Sequence, residues 1–497
     1  MKHPSLRLLL VASLPLAMAC SPAVIEPFGP IPTPQQVAWQ RMEINMFCHF
    51  GPNTFSGAEW GDGTEPEDLF NPRALDCSQW VDVAEAAGMK GIILTAKHHD
   101  GFCLWPSQQS THTVASSLWR KGKGDVLREF TDACRGRVKA GVYISPWDRN
   151  HPAYGSEAYN DVFVNTLREV HSAYGPLFEQ WFDGACGEGP NGKKQHYDWP
   201  RFLQTMHTLN PLAIIFSDIG PGCRWVGNEE GRAGDTCWST LNTHGATPSD
   251  NKPSPAELQT GHAPLSTKRL STQELSTQRL STFHFPLSTL HWVPAEVDVS
   301  IRPGWFWHPD EHPKSVDELM EIYFNSVGRN GLLLLNVPPD TNGRICPEDS
   351  LRLIEFRRER DRIFRHDLAA GAEVHAWHKP GHQAKNVLDT AYHSFWAATA
   401  KEAELTMELD SLTEFDIIVI QEYIPLGQRI TSVNLLLDPG DGLYSHSLSD
   451  HPLCSTVGYK RIIRLPQPVR WRKLVFQFQG MAPPVINRIA LFNSHAQ

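Results

Sequence analysis

Short apolar runs alternate with helix-period segments over most of residues 45–337, and this alternation restricts the fold more than any other feature of the chain. Runs at 45–51, 91–96, 138–145, 177–182, 213–218, 299–301 and 331–337 read as strands. Between them, 76–87, 161–174 and 199–209 read as helices. In the first helix Trp80, Val83, Ala84 and Ala87 share one face behind an Asp/Ser start signal. A further helix starts at Ser315, which forms a capping box with Glu318 ahead of Leu319, Ile322 and Tyr323. Strand, helix, strand in repetition implies parallel pairing, and the strand count suits a (β/α)8 barrel, an α/β fold. The alternative is a doubly wound open sheet, but no Gly-rich phosphate loop follows any of the strands.

His49, His98, His99, Trp147, Asp148, Asp183 and Asp218 all fall at or just past the C-terminal ends of predicted strands. In a parallel barrel those positions converge on one mouth. The stretch Trp181-Phe182-Asp183-Gly184-Ala185 places a carboxylate at the lip of an aromatic strand, just where glycine turns the chain away. A lone Asp there also suits a turn or a helix cap, so its meaning depends on its neighbours. Two chemistries fit the mouth. His98, His99 and Asp100 beside Asp183 could ligate a metal, yet no His-x-His pair occurs on the first strand, and adjacent histidines on an extended chain point opposite ways. The other chemistry is a pair of carboxylates flanking a glycosidic bond, for which Glu59, Glu229, Glu230 and Glu296 are the candidate partners.

The chain has 497 residues, too many for one compact core, so a barrel of roughly 250 residues or more with a second domain is expected. With 45 basic against 55 acidic residues and no Lys/Arg-rich block, nucleic acid is excluded as a partner. Sixteen tryptophans suit a pocket that stacks on sugar rings, although Trp also fills cores. Residues 1–20 read as a signal peptide: Lys2 and Arg7, an apolar run from Leu8 to Ala19 too short to span a bilayer, then Cys20. That pattern is similar to a bacterial lipoprotein signal, which predicts export and membrane attachment through a lipidated Cys20; a cleaved soluble form is the alternative. The other nine cysteines show no CxxC pair and read mostly as buried small hydrophobes.

Residues 21–36 form a Pro-rich linker, and 37–365 the barrel. His49-Phe50-Gly51, Glu59-Trp60-Gly61, Lys97-His98-His99-Asp100-Gly101-Phe102, Trp181-Phe182-Asp183-Gly184 and Gly328-Arg329-Asn330-Gly331 occur in this order. Together they resemble the α-L-fucosidases of glycoside hydrolase family 29, over roughly residues 36–365. Trp225 to Gly231 and Ser300 to Phe306 resemble, more narrowly, the subgroup acting on α-1,3/1,4-linked fucose of branched glycans. The resemblance implies a retaining, cofactor-free and metal-free barrel hydrolase acting on fucosylated oligosaccharides or glycoprotein glycans. It places the nucleophile at Asp183 and the acid/base at Glu229, with Glu230 as the competing neighbour and Glu296 as a structural carboxylate. In a retaining mechanism their carboxyl groups should lie about 5 to 5.5 Å apart. His49, His98 and His99 are expected to donate to fucose hydroxyls and Glu59 to accept from them. Trp60, Trp147, Trp181 and Trp305 are expected to offer apolar faces to the ring and its methyl group. A catalytically dead barrel kept as a glycan-binding surface protein is the alternative, and Asp183 and Glu229 are what it would not need.

A low-complexity insertion at 250–290, with Leu-Ser-Thr repeating at five-residue spacing, departs from the family pattern. From residue 366 the pattern changes to alternating strands, as in 405–409, 415–421, 432–437, 461–465 and 473–478, which predicts an antiparallel β-sandwich over 366–497. This stretch resembles the discoidin-type sandwich appended to such barrels. Carbohydrate binding and simple support of the barrel are both open for it.

Overall fold

A computed structural model describes residues 21–243, 248, 290–438, 446–448 and 451–496. The signal at 1–20, Cys20 and the Leu-Ser-Thr repeats lie outside the described residues. Eight parallel strands close into a barrel. They are β1 (Ile44–Cys48), β2 (Gly91–Lys97), β3 (Lys139–Ile144), β4 (Glu179–Trp181), β5 (Ile214–Ser217) and β6 (Cys223–Trp225), followed by β9 (Ala295–Ser300) and β10 (Gly331–Asn336). Closure comes from β1 pairing with both β10 and β2, so the doubly wound alternative is excluded. A hairpin of β7 (Thr240–Asn242) and β8 (Leu290–Trp292) stands outside the barrel between β6 and β9.

The sequence signals that define the elements act as expected. Asp76 accepts a hydrogen bond from Gln79 N and caps the helix Cys77–Ala86, whose Trp80, Val83 and Ala84 are buried against the barrel. Ser315 and Glu318 form the reciprocal capping box of the helix Val316–Asn325. Three readings change. Cys223–Trp225 is a barrel strand, joined to β5 by only the residues between Ser217 and Cys223, with no room for a crossover helix. The strand expected at 299–301 starts at Ala295, so Glu296 lies within it rather than before it. The helix Pro34–Gln40, capped by Thr33, begins inside the stretch read as a linker.

After the last barrel helix, Pro347–Ile363, the chain enters an antiparallel sheet. Its strands are β11 (Glu373–His375), β12 (Trp396–Ala397), β13 (Glu402–Glu422), β14 (Ile430–Asp438), β15 (His446–Ser447), β16 (Arg461–Gly480) and β17 (Val485–Phe492). The two long strands β13 and β16 pair along their length but break register between Glu408 and Thr413 and again between Phe415 and Ile417. Those irregularities bend the sheet, so Leu405 and Met407 from one half share a core with Ile418 and Ile420 from the other. This is the antiparallel sandwich. The nine described cysteines form no disulfide, and all but Cys186 and Cys346 are buried.

Candidate active site

The C-terminal ends of the barrel strands surround a cavity of about 340 Å³, walled by His49, Glu59, Trp60, His98, His99, Trp181, Asp183, Glu229 and Trp305 among others. Nearly all of the residues singled out in the sequence therefore meet in one place. Trp147 is the correction: it lies behind the wall, its ring against His99 at 4.8 Å and Trp60 at 5.9 Å, with Nε1 donating to Glu188 O. It supports a binding face without forming one. Asp148 likewise turns inward, 3.1 Å from Lys97 Nζ, and Asp100 accepts from Phe102 N within the loop.

Asp183 sits two residues past Trp181, the end of β4, and accepts two hydrogen bonds, with the neutral His99 ring nearby. Tyr143 Oη donates to Oδ2 at 2.9 Å, Ala185 N donates to Oδ1 at 2.8 Å, and His99 Nε2 lies 3.6 Å from Oδ2. Gly184 lets the chain pass close beside Asp218: a Cβ there would fall 2.3 Å from its Oδ2 and push that carboxylate aside. Glu229 sits in the loop after β6, where Trp305 Nε1 donates to its Oε2 at 3.2 Å. Glu230 turns away to Arg232 at 3.0 Å and is exposed, while Glu296 is buried in the barrel, accepting from Trp181 Nε1 at 2.8 Å. Of the four candidate partners for Asp183, Glu229 and Glu59 face the cavity. Glu59 is held by Trp305 N at 2.7 Å and His308 Nε2 at 2.6 Å.

Burial drives all three site imidazoles down in pKa: His49 to about 3, His99 to about 4 despite the Asp183 charge, and His98 well below the usual imidazole value. They are neutral near pH 7, and for His49 and His99 the partner of Nδ1 fixes the tautomer. Asn336 donates through Nδ2 to Ser300 Oγ and Trp305 O, so its Oδ1 accepts from His49 Nδ1 at 2.9 Å. Ser145 Oγ gives its proton to Trp147 O and accepts from His99 Nδ1 at 2.8 Å. In both rings Nε2 is left as an acceptor. Donation to hydroxyls, expected of these histidines from the sequence, is not what the Nε2 atoms of His49 and His99 offer in these tautomers.

His98 and His99 both reach the cavity, with ring centroids 4.3 Å apart. The two rings do not point opposite ways as on an extended chain, because β2 ends at Lys97 and the chain turns over the next residues. Tyr143, Phe47, Phe216 and Asp298 also line the cavity and were missed. Tyr143 carried a readable signal, since it lies two residues from the end of the run at 138–145 that reads as a strand; Trp181 stacks on it at 5.3 Å and on Phe216 at 3.7 Å.

A profile of the alpha-L-fucosidase family matches residues 36–245. Alpha-L-fucosidase 1 of Arabidopsis thaliana is 40% identical over 478 residues, covering 94% of this chain and 88% of that protein. The chain belongs to the α-L-fucosidase family, glycoside hydrolase family 29. The structure agrees with solved members. A glycoside hydrolase 29 family member from an unknown rumen bacterium superposes with a TM-score of 0.77 at 37% identity, covering 95% of this chain and 79% of that one. A Ruminococcus gnavus GH29 fucosidase solved in complex with fucose gives 0.80 at 28% identity, covering 95% and 97%. As an α-L-fucosidase the protein is a glycoside hydrolase, and the cavity at the barrel mouth is where its candidate residues converge.

Proposed function

We propose that the protein is a retaining exo-α-L-fucosidase that removes terminal α-1,3/1,4-linked L-fucose from glycans, with Asp183 as nucleophile and Glu229 as acid/base. The observation that carries this reading is that Asp183 and Glu229, far apart in sequence, open on one cavity sized for a single sugar, while Glu230 and Glu296 do not. Tyr143 Oη and Ala185 N each donate to one Asp183 oxygen, and a carboxylate held in place this way suits in-line attack. Asp183 attacks the anomeric carbon as Glu229 protonates the leaving glycosidic oxygen. Water, deprotonated by Glu229, then opens the fucosyl ester on Asp183. His49 and His99 accept from sugar hydroxyls, and Glu59, oriented by Trp305 N and His308, accepts from another. Phe47, Trp181 and Phe216 offer apolar faces to the methyl group. The Ruminococcus gnavus relative bound to fucose supports the choice of sugar.

The reading is tested with a Lewis-type trisaccharide. Wild type releases free fucose with the α-anomer formed first, and chelator leaves the rate unchanged. Asp183→Ala loses about 10³-fold or more in kcat. Wild-type turnover in that variant, or β-fucose as first product, would overturn the assignment. We further propose export of the chain and membrane anchoring through Cys20, supported by the signal-like first twenty residues. Expression in a bacterial host with labelled palmitate should label wild type and leave Cys20→Ala unlabelled.

A further inference from the structure

We propose that Asp298 is a third functional carboxyl of the cavity, working in its neutral form as a hydrogen-bond donor to the bound sugar. The inference rests on the fucosidase reading of the site and extends it to a residue outside the two-carboxylate pair. Asp298 is the fourth residue of β9, 4% exposed, and it lines the cavity together with Asp183 and Glu229. Trp225 Nε1, at the end of the adjacent strand β6, donates to its Oδ1 at 2.8 Å.

The surroundings decide its charge. Asp148, equally buried, is ionised because Lys97 lies 3.1 Å away and two backbone amides donate to it. Among the described residues Asp298 has no such cation. The charged groups that act on it most from neighbouring elements are carboxylates, Glu229 after β6 and Asp183 after β4, and beneath it on its own strand lies Glu296. Burial first and Glu229 second push its carboxyl well above the ordinary aspartate value. A third negative charge there would be desolvated and would oppose Asp183, whereas a neutral carboxyl accepts from Trp225 through Oδ1 and has an O–H left to give. Neutral Asp298 thus offers the cavity a donor in a wall where His49 and His99 present acceptors.

The test compares wild type with Asp298→Asn, which keeps an acceptor for Trp225 and a donor for the sugar, and with Asp298→Ala, which keeps neither. L-Fucose affinity and kcat/KM should stay within about threefold in Asp298→Asn and fall at least tenfold in Asp298→Ala. Infrared spectra of wild type at neutral pH should contain a protonated-carboxyl carbonyl band that shifts when L-fucose binds and is missing from Asp298→Asn; a merely structural side chain would not report the sugar. The alkaline limb of the pH–rate profile should stay in place or move up in Asp298→Asn. A charged Asp298 would instead hold the proton on Glu229, so its removal would move the limb down. A downward shift, a band absent or indifferent to fucose, or an Asn variant as damaged as the Ala variant overturns the proposal. Failure of wild type to bind fucose at all would instead sink the fucosidase reading.

Discussion

At Gly304 the backbone passes so close to Glu59 that a Cβ would lie 2.5 Å from Oε1 and 3.0 Å from His308 Cδ2. The neighbour is the end of a flexible side chain, so Gly304→Ala is relieved by turning Glu59 out of its place against Trp305 N. The expected result is a loss of about 10- to 100-fold in kcat/KM with a melting midpoint close to wild type, read by kinetics and calorimetry together. Unchanged kinetics would mean that Glu59 does not position the sugar. A pH effect follows from His99, whose folded value of about 4 lies below the ordinary 6.5. Between those values the unfolded chain binds more protons, so the contribution of His99 to stability is intact above pH 6.5 and lost as pH falls toward 4. The stability of wild type relative to His99→Gln should therefore decline by on the order of 1 kcal/mol per pH unit through that window, measured by urea denaturation. A pH-independent difference would contradict a neutral, buried imidazole. The chain revealed the residues that follow strands, because their place is set by strand ends alone. It did not reveal Asp298, which lines the cavity from inside a strand, or Asn336, which ends β10 and holds His49, because an inward polar residue within a strand run reads like any other core position.

Elements were legible where the pattern is long or capped, as in the helices Cys77–Ala86 and Val316–Asn325. Strand β6 was not, because three residues are too few to carry a period and its pairing with β5 and β9 is decided by the whole barrel. In the sandwich the alternation of β13 and β16 was visible, yet the polar residue that fastens its turns was not. Glu422, buried at the end of β13, accepts from Arg429 N at 2.8 Å, Ile430 N at 3.0 Å and Gly458 N at 2.6 Å. It joins the start of β14 to the segment before β16. Glu422→Ala leaves those buried amides unpartnered and should cost about 3 kcal/mol or more in denaturation experiments. Glu422→Gln, which keeps an acceptor oxygen, should recover part of that loss. Equal losses in both variants would assign the role to charge rather than to amide pairing.

Barrel and sandwich do not meet as separate bodies. Ile417, Val419, Ile462, Ala490 and Phe492 of the sandwich belong to the same buried cluster as the barrel helices, and Phe492 packs on Phe364 at 5.1 Å. At the edge of this contact Glu43, just before β1, is half-buried, pairs with Lys460 and accepts from Tyr459 Oη at 2.8 Å, while Asn330 Oδ1 accepts from Tyr459 N at 2.7 Å. Desolvation raises the Glu43 carboxyl, but Lys460 and the hydrogen bonds outweigh it and hold the group below its ordinary value. The pair is therefore ionised, and removing one partner strands the other. Glu43→Ala is expected to destabilise the molecule by about 1.5–3 kcal/mol while leaving KM unchanged, since the pair is half-buried and lies outside the residues lining the cavity. Because apolar area and an ion pair are shared, the two parts should unfold in one calorimetric transition in wild type, and a chain cut after residue 365 should lose solubility as the face beneath Phe364 and Phe324 is uncovered. Two well-separated transitions in wild type, or a soluble and active barrel alone, would show that the sandwich is an independent module and that the shared cluster contributes little to holding the catalytic mouth in shape.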